Sequence, residues 1–316
     1  MAFPNISDIL ATTIENRSKK VADNVTNNNA VLKKLSMNGN MKTFSGGNKI
    51  LQELSFAENQ NFGWYSGYDV LPVGVSDVIS AAEYDIKQCA APVVMSGLEM
   101  LQNAGKEKMI DLMDSRLSIA EKTMANNMSL GLYSDGTGFS GKQIDGLDAA
   151  IIGTGTYGGI ARGTWAFWVP YVNTTTATSG NIQTLFNTMW SNLVRGNDRP
   201  DLIMVDNLLW ILYVESLQQH QRFMSPEVGK LGFPTLKYMD ADVCLDGGIG
   251  GQCPASTSFW LNTDYLHYRP HAKRNMVPLS PNRRYATNQD AEVQILAWAG
   301  NLTVSGSKFQ GRLNGA

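Results

Sequence analysis

The chain has 316 residues, 43% of them hydrophobic and 17% charged, which is too apolar for a disordered chain and enough for a sizeable core in one or two domains. Lys and Arg total 26 against 28 Asp and Glu, so the formal net charge of -2 lacks the strong positive field of a direct nucleic-acid binder. Any DNA contact is expected to be weak or local, and the most basic stretch, Leu261 to Ala316, with seven cations against three acids, reads as a solvated or interface-paired face.

The three cysteines, Cys89, Cys244 and Cys253, are odd in number, and the opening MAFPNISDIL has neither a basic leader nor a long apolar run. A reducing cytoplasm is expected, without secretion. The run Leu208 to Val214 falls far short of the roughly 20 apolar residues that cross a bilayer, so no membrane partner is expected. Triplets such as Asn24-Val25-Thr26 and Asn127-Met128-Ser129 match a glycosylation pattern by chance in such a chain.

Residues 1–45 are polar and Asn-rich, with a narrow stripe of Ile6, Ile9, Leu10, Thr13 and Ile14 that cannot build its own core. From Phe44 to Ser76 there is no helical period. Gly46, Gly47, Gly63, Gly67 and Gly74 are interleaved with Phe56, Phe62, Trp64, Tyr65 and Tyr68, which predicts a long two-stranded excursion with its tip near Asn59–Asn61. An isolated hairpin is marginal in water, and each ring offers roughly 150–250 Å² that favours burial. The rings pack either on their own domain or, the reading preferred, against a neighbouring subunit.

After Asp77 the run VISAAEYDIKQCA reads as a long strand. A short lead-in, Gly97 to Ala104, precedes a helix over 106–132, where Met109, Met113, Leu117, Ala120, Met124 and Met128 recur at spacings of three and four. Gly131 with Ser134-Asp135-Gly136 ends it, and about 26 residues span about 40 Å. Its methionines suit adaptable core packing better than a ligand surface.

Between about Gly136 and Cys253 the pattern is that of a compact α/β lobe. Ile182, Leu185, Phe186, Met189, Trp190 and Leu193 fall at helical spacing, and Arg195-Gly196 reads as a cationic last turn and cap. Pro200-Asp201 opens the strand LIMV, and Asp206 or Asn207 caps a helix through LLWILYVESLQQ. The later runs FWLNTDYLHYR and EVQILAWAGNLTVSG are strand-like and are expected to pair with the strand near Asp77 to Ala90, making one domain discontinuous in sequence.

Chemical motifs are few. The string GTGTYG, Gly153 to Gly158, matches G-x-G-x-x-G, but Pro170 and bulky aromatics stand where a helix would begin, and no acid follows to hold a ribose. It reads as a Gly-rich loop at a lobe edge. GFSGK, around Ser140, has Lys142 where a nucleophile elbow needs glycine. The histidines are His220, His267 and His271; Pro270 between the last two keeps them off one helical face. Cys244 and Cys253 flank LDGGIGGQ without a second cysteine pair and read as ordinary reduced thiols. No catalytic, cofactor-binding or metal-binding residue is expected.

The ordered phrases LYSDGTG (Leu132 to Gly138), GLDAAI (Gly146 to Ile151), GTYGGIARGTWAFW (Gly155 to Trp168), PDLIMVD (Pro200 to Asp206), QRF (Gln221 to Phe223), LGFPTLKYMDADV (Leu231 to Val243), FWLNTDYLHYR (Phe259 to Arg269) and NQDAEVQILAWAGNL (Asn288 to Leu302) are familiar together. Over nearly its full length the chain resembles the major capsid proteins of tailed bacteriophages with the Hong Kong 97 fold. That resemblance implies an α+β fold: an N-terminal arm (1–45), an extended β-hairpin loop (46–76), a peripheral domain (77–135 and 256–316) with a β-sheet and a spine helix (106–132), and a central axial domain (136–255).

It also implies a non-enzymatic subunit that assembles with itself into hexamers and pentamers of an icosahedral head around double-stranded DNA, held by weak non-specific contact. The implied inter-subunit contacts are Ile6, Leu10, Ile14, Phe56, Phe62, Trp64, Tyr65 and Tyr68. Further implied partners are a portal protein and, since this sequence has no room for a long helical scaffolding region, a separate scaffolding protein; an already processed N-terminus is the other option. Location would be the virion, and the host cytoplasm during assembly. Some relatives cross-link subunits through a lysine, for which Lys49 is the candidate here. The alternatives are an encapsulin-type shell around a protein cargo, and a cytoplasmic α/β enzyme using Asp201, Asp206 or His220.

Overall fold

A single long strand, β14 (Ala291–Val304), organises one of the two main sheets. The computed structural model describes residues 29–102, 106–218, 235–247, 251–279, 284–285 and 290–315. Along one side of β14 runs β3 (Lys87–Ser96), antiparallel, with Cys89 opposite Trp298 and Val93 opposite Gln294. Along its other side lie three short strands in succession: β11 (Leu266–Pro270), β12 (Val277–Pro278) and β13 (Arg284–Tyr285). Paired on both sides, β14 is buried without interruption from Leu296 to Val304.

On β3 the burial alternates, Ala91, Val93 and Met95 facing inward. Packed against it is α3 (Lys106–Leu132), preceded by the short α2 (Gly97–Gln102). Leu117, Ala120, Met124 and Met128 of the expected stripe are buried, joined by Ala125 and Leu132. The side chains of Met109 and Met113 lie outside the described residues. Arg116 ties the layers together: it donates to the Val94 carbonyl at 2.6 Å and forks onto both oxygens of Glu99. That fork holds the Glu99 carboxyl at about 2.

The lobe contains the second sheet, in the order β6 (Tyr171–Asn173), β15 (Gly311–Asn314), β10 (Thr257–Leu261), β7 (Leu202–Val205), β9 (Ala241–Leu245), β8 (Thr235–Tyr238). Two helices, α4 (Ile182–Leu193) and α5 (Asn207–Gln218), complete it. Phe186 of α4 stacks on Tyr213 of α5 at 5.0 Å and meets Trp260 of β10 edge-on at 5.0 Å, so aromatic contacts bind helix, helix and sheet into one core. Asp206 caps α5, its carboxylate accepting from Leu208 N at 3.4 Å. Gly196 is not a helix cap: α4 ends at Leu193, and Gly196, with φ 61°, serves the tight turn that pairs Arg195 with Asp198.

Strand pairing departs from expectation in two places. The late run FWLNTDYLHYR is divided: Thr257–Leu261 pairs with Leu202–Val205 in the lobe sheet, and only Leu266–Pro270 joins β14. Gly311–Asn314 also enters the lobe sheet, between β10 and β6. The run Asp77 to Ala90 is divided as well, at Ile86. Its first half, β2 (Ile79–Asp85), pairs with β1 (Lys49–Ser55), and its second half opens β3.

The first segment is partly corrected too. Ile6, Leu10 and Ile14 lie outside the described residues, but Ala30–Met37 is a helix, α1, folded on its own subunit. Asn29 caps it by accepting from Val31 N and Leu32 N, and Val31, Leu32 and Leu35 are fully buried in the main core. Lys34 reaches Asp242 at 3.2 Å and Asp201 at 3.6 Å, and Asn40 to Phe44 then run alongside β11. No described helix is long and apolar enough to cross a membrane.

Candidate assembly surface

The excursion is built outward from a firm root. In the β1–β2 ladder, Ile50, Leu54, Ala82 and Tyr84 face inward and are buried. Tyr84 donates its hydroxyl to Val304 O at 3.0 Å and accepts from Val304 N at 3.2 Å, so both orphan groups at the end of β14 are satisfied by one side chain. Burial drives the Tyr84 phenol far above its ordinary range.

The string GTGTYG supplies the outer brace. Thr156–Tyr157 (β4) and Ile160–Ala161 (β5) form a two-residue hairpin whose turn, Gly158-Gly159, has φ 58° and 76°. This mirror-image turn needs two residues free of a Cβ penalty, which explains the paired glycines. Gly158 O accepts from Glu83 N of β2 at 2.9 Å, and Tyr157 meets Tyr84 edge-on at 5.2 Å. Beneath lies Arg162, buried, donating to Ala150 O at 2.6 Å with its guanidinium 5.2 Å from the Tyr157 ring; burial lowers its pKa. The motif is thus a strut against the excursion's root.

Beyond Ser55 the chain leaves the body. Phe56 N donates to Val78 O at 3.1 Å, and the Asn61 amide bridges both limbs, donating to Gly74 O at 2.6 Å and accepting from Gly74 N at 3.1 Å. The tip is the turn Ser66–Asp69 rather than Asn59–Asn61: Asp69 N donates to Ser66 O, and Asp69 Oδ2 accepts from Ser66 N at 2.9 Å. A longer polar-glycine turn signal at 59–63 masked this shorter one.

The five aromatic positions divide. Phe56 is half-buried on its own subunit, 5.9 Å from Trp165 and 5.8 Å from Phe167. Phe62, Trp64, Tyr65 and Tyr68 are 75, 93, 67 and 105% exposed. Val70, Val73 and Val75, which the sequence reading passed over, are each more than nine-tenths exposed. The run VLPVGV between Asp69 and Asp77 carries the signal, since so apolar a stretch ordinarily denotes a buried strand. Lys49 stands at the root of the ladder and pairs with Glu83 at 2.8 Å, which raises its pKa and keeps the amine protonated.

The residues considered for other chemistry sit apart. Asp201 accepts from Thr263 N at 2.8 Å and from Thr263 Oγ1 at 2.6 Å, and Asp206 accepts from Ser256 N at 2.9 Å; each fastens strands of the lobe. His220 lies outside the described residues. His267 is buried, and desolvation, with Lys42 and Arg269 nearby, pushes its ring down to about 4; His271 instead meets Phe44 edge-on. Cys244 and Cys253 are buried free thiols, and burial raises Cys244 to about 12. Among the described residues no group of three His, Cys, Asp or Glu is placed to hold a metal ion.

No family model and no curated protein matches the sequence. Solved structures do match the fold. The capsid asymmetric unit of cyanophage A-1(L) aligns with a TM-score of 0.61 at 16% identity, covering 89% of this chain and 92% of that one. The capsid of a native GTA particle aligns at 0.56 and 13% identity, covering 89% and 90%. For the capsid of Myoviridae phage XM1 the values are 0.52 and 11%, covering 89% and 92%. The chain has the fold of a phage capsid protein. On this capsid fold the excursion holds four aromatic rings and three valines in water, anchored by a root that is itself well packed.

Proposed function

We propose that the chain is the major capsid protein of a tailed phage, assembling with itself as hexamers and pentamers into the shell that encloses double-stranded DNA. In this reading the excursion is the extended loop, α3 is the spine of the peripheral domain, and the lobe is the axial domain. A portal protein and a separate scaffolding protein are the expected partners, and the balanced net charge of -2 suits weak contact with the packaged DNA. The observation that carries the reading is the uncovered surface of Phe62, Trp64, Tyr65 and Tyr68 on a subunit with a capsid fold. Rings of this size find cover at an interface, and several modest contacts per subunit act together once a ring of copies closes.

The test compares the wild-type chain with Phe62→Ala/Trp64→Ala by light scattering and negative-stain electron microscopy, under conditions in which the wild type assembles. The double variant is expected to remain soluble with unchanged unfolding, yet to form few shells, each ring contributing about 1–4 kcal/mol at the contact. Misfolding of the isolated double variant would assign the rings to the subunit's own core. Particles carrying protein cargo in place of nucleic acid would favour the encapsulin alternative.

A further inference from the structure

A cavity of about 420 Å³ opens between α3, β3 and the segment after α3. Its wall is apolar, formed by Met124, Met128, Ile144 and Trp298, with the exposed Cys89 at its side and Phe139 at its rim. The volume falls within the range, about 300–1,000 Å³, that ordinarily accepts a compact group. Lys142 is the one charged residue of the lining, and no acid contributes to it.

The rim is built in an unusual way. Phe139 and Ser140 have φ 53° and 59°, a left-handed conformation that side chains other than glycine avoid, and Phe139 is 80% exposed. Lys87 holds the segment by donating to Gly141 O at 2.7 Å, and Gly141 N donates to Thr137 O. The backbone strain holds a large apolar ring at the mouth of an apolar cavity, where its own subunit does not cover it.

We propose that this cavity receives the Trp64 end of the excursion of a second copy of the chain. The inference rests on the shell reading and names its acceptor. Charge supports the pairing. The excursion, residues 56–78, carries Glu58, Asp69 and Asp77 and no Lys or Arg, whereas the cavity presents Lys142 and no carboxylate. Chemistry supports it too: Trp64 is 93% exposed on its own subunit, and Met124, Met128 and Phe139 offer thioether and ring surfaces suited to an indole. Tyr68 and Asp69, at the same tip, would then sit at the Lys142 rim.

Cys89 gives the test a handle at mildly alkaline pH: its residue is exposed whereas Cys244 and Cys253 are buried, and the apolar side chains around its sulfur raise the thiol to about 11. Ser66→Cys, at the same tip and leaving Trp64 in place, is combined with Cys89→Ser, assembled with an excess of wild-type chain and treated with a short bis-maleimide, each thiol adding across one maleimide double bond. The expected result on a denaturing gel is a covalent dimer, absent when the wild-type partner carries Cys89→Ser. In parallel, Ala90→Trp, at the exposed wall of the cavity, is expected to leave subunit unfolding unchanged and to lower the yield of particles at least tenfold. Particles that form without cross-links, together with normal assembly of Ala90→Trp, would overturn the cavity assignment and leave the shell reading standing. A wild-type chain that forms no particles in assembly conditions would remove the shell reading, and the cavity assignment with it.

Discussion

Replacing Gly158 by alanine tests how the excursion is anchored. A Cβ there would lie 3.0 Å from Ala82 Cβ and 3.1 Å from Tyr84 Cζ, on a backbone with φ 58°. The left-handed backbone costs an L-residue about 1–2 kcal/mol, and crowding a packed contact adds about 1–3 kcal/mol. Lower entropy of the unfolded chain returns about 0.4–1 kcal/mol, leaving a net loss of about 1–4.5 kcal/mol. Gly159 is the internal control: its φ is 76°, but the nearest atom to its Cβ would be Glu83 Cβ at 4.0 Å. Gly159→Ala therefore carries the backbone cost alone, about 1 kcal/mol net. Urea unfolding of the isolated subunits should separate the two variants by about 1–3 kcal/mol, and limited proteolysis near Ser55 should accelerate only in Gly158→Ala. Equal stability of the two, within about 0.5 kcal/mol, would show that the hairpin does not brace β2.

Two further outcomes follow from burial. Leu32, fully buried on α1, should cost about 2–5 kcal/mol on replacement by alanine in the isolated subunit, whereas a helix that served only neighbouring copies would show almost no loss in urea unfolding. His267, 7% exposed and held at about 4 against an ordinary 6.5, stays neutral in the fold while the unfolded chain takes up a proton first as pH falls. Stability is then present above about 6.5 and lost between there and about 4, a loss on the order of 2–3 kcal/mol. Thermal unfolding from pH 7 to pH 4 should show that slope flattened in His267→Gln, and an unchanged slope would assign it to other groups.

What the sequence made legible was periodic. The long helix α3 announces itself through Leu117, Ala120, Met124 and Met128, and the lobe helices through Ile182 to Leu193 and the capping Asp206, because a helix repeats its buried face every turn. The exposed rings were legible as a conflict between apolar composition and a glycine-rich frame. Strand partners were not. Neither Gly nor Pro marks the break at Ile86, so one apparent strand conceals two that belong to different sheets. Asn29 followed by AVLKKL carried a cap and a helical pattern, but the TNNNA tract around it reads as a polar tail. The cavity had no local signal at all, since its wall combines Cys89, Met124, Phe139 and Trp298 from four distant segments.

One consequence of the lobe sheet concerns synthesis. Gly311–Asn314 lies between β6 and β10, so strands completed by Leu261 flank a slot that stays open while fifty more residues are translated. Until residue 314 clears the ribosome, the nascent lobe exposes two bare ladders to any passing strand. A shielding partner during translation would keep that slot for the strand encoded to fill it.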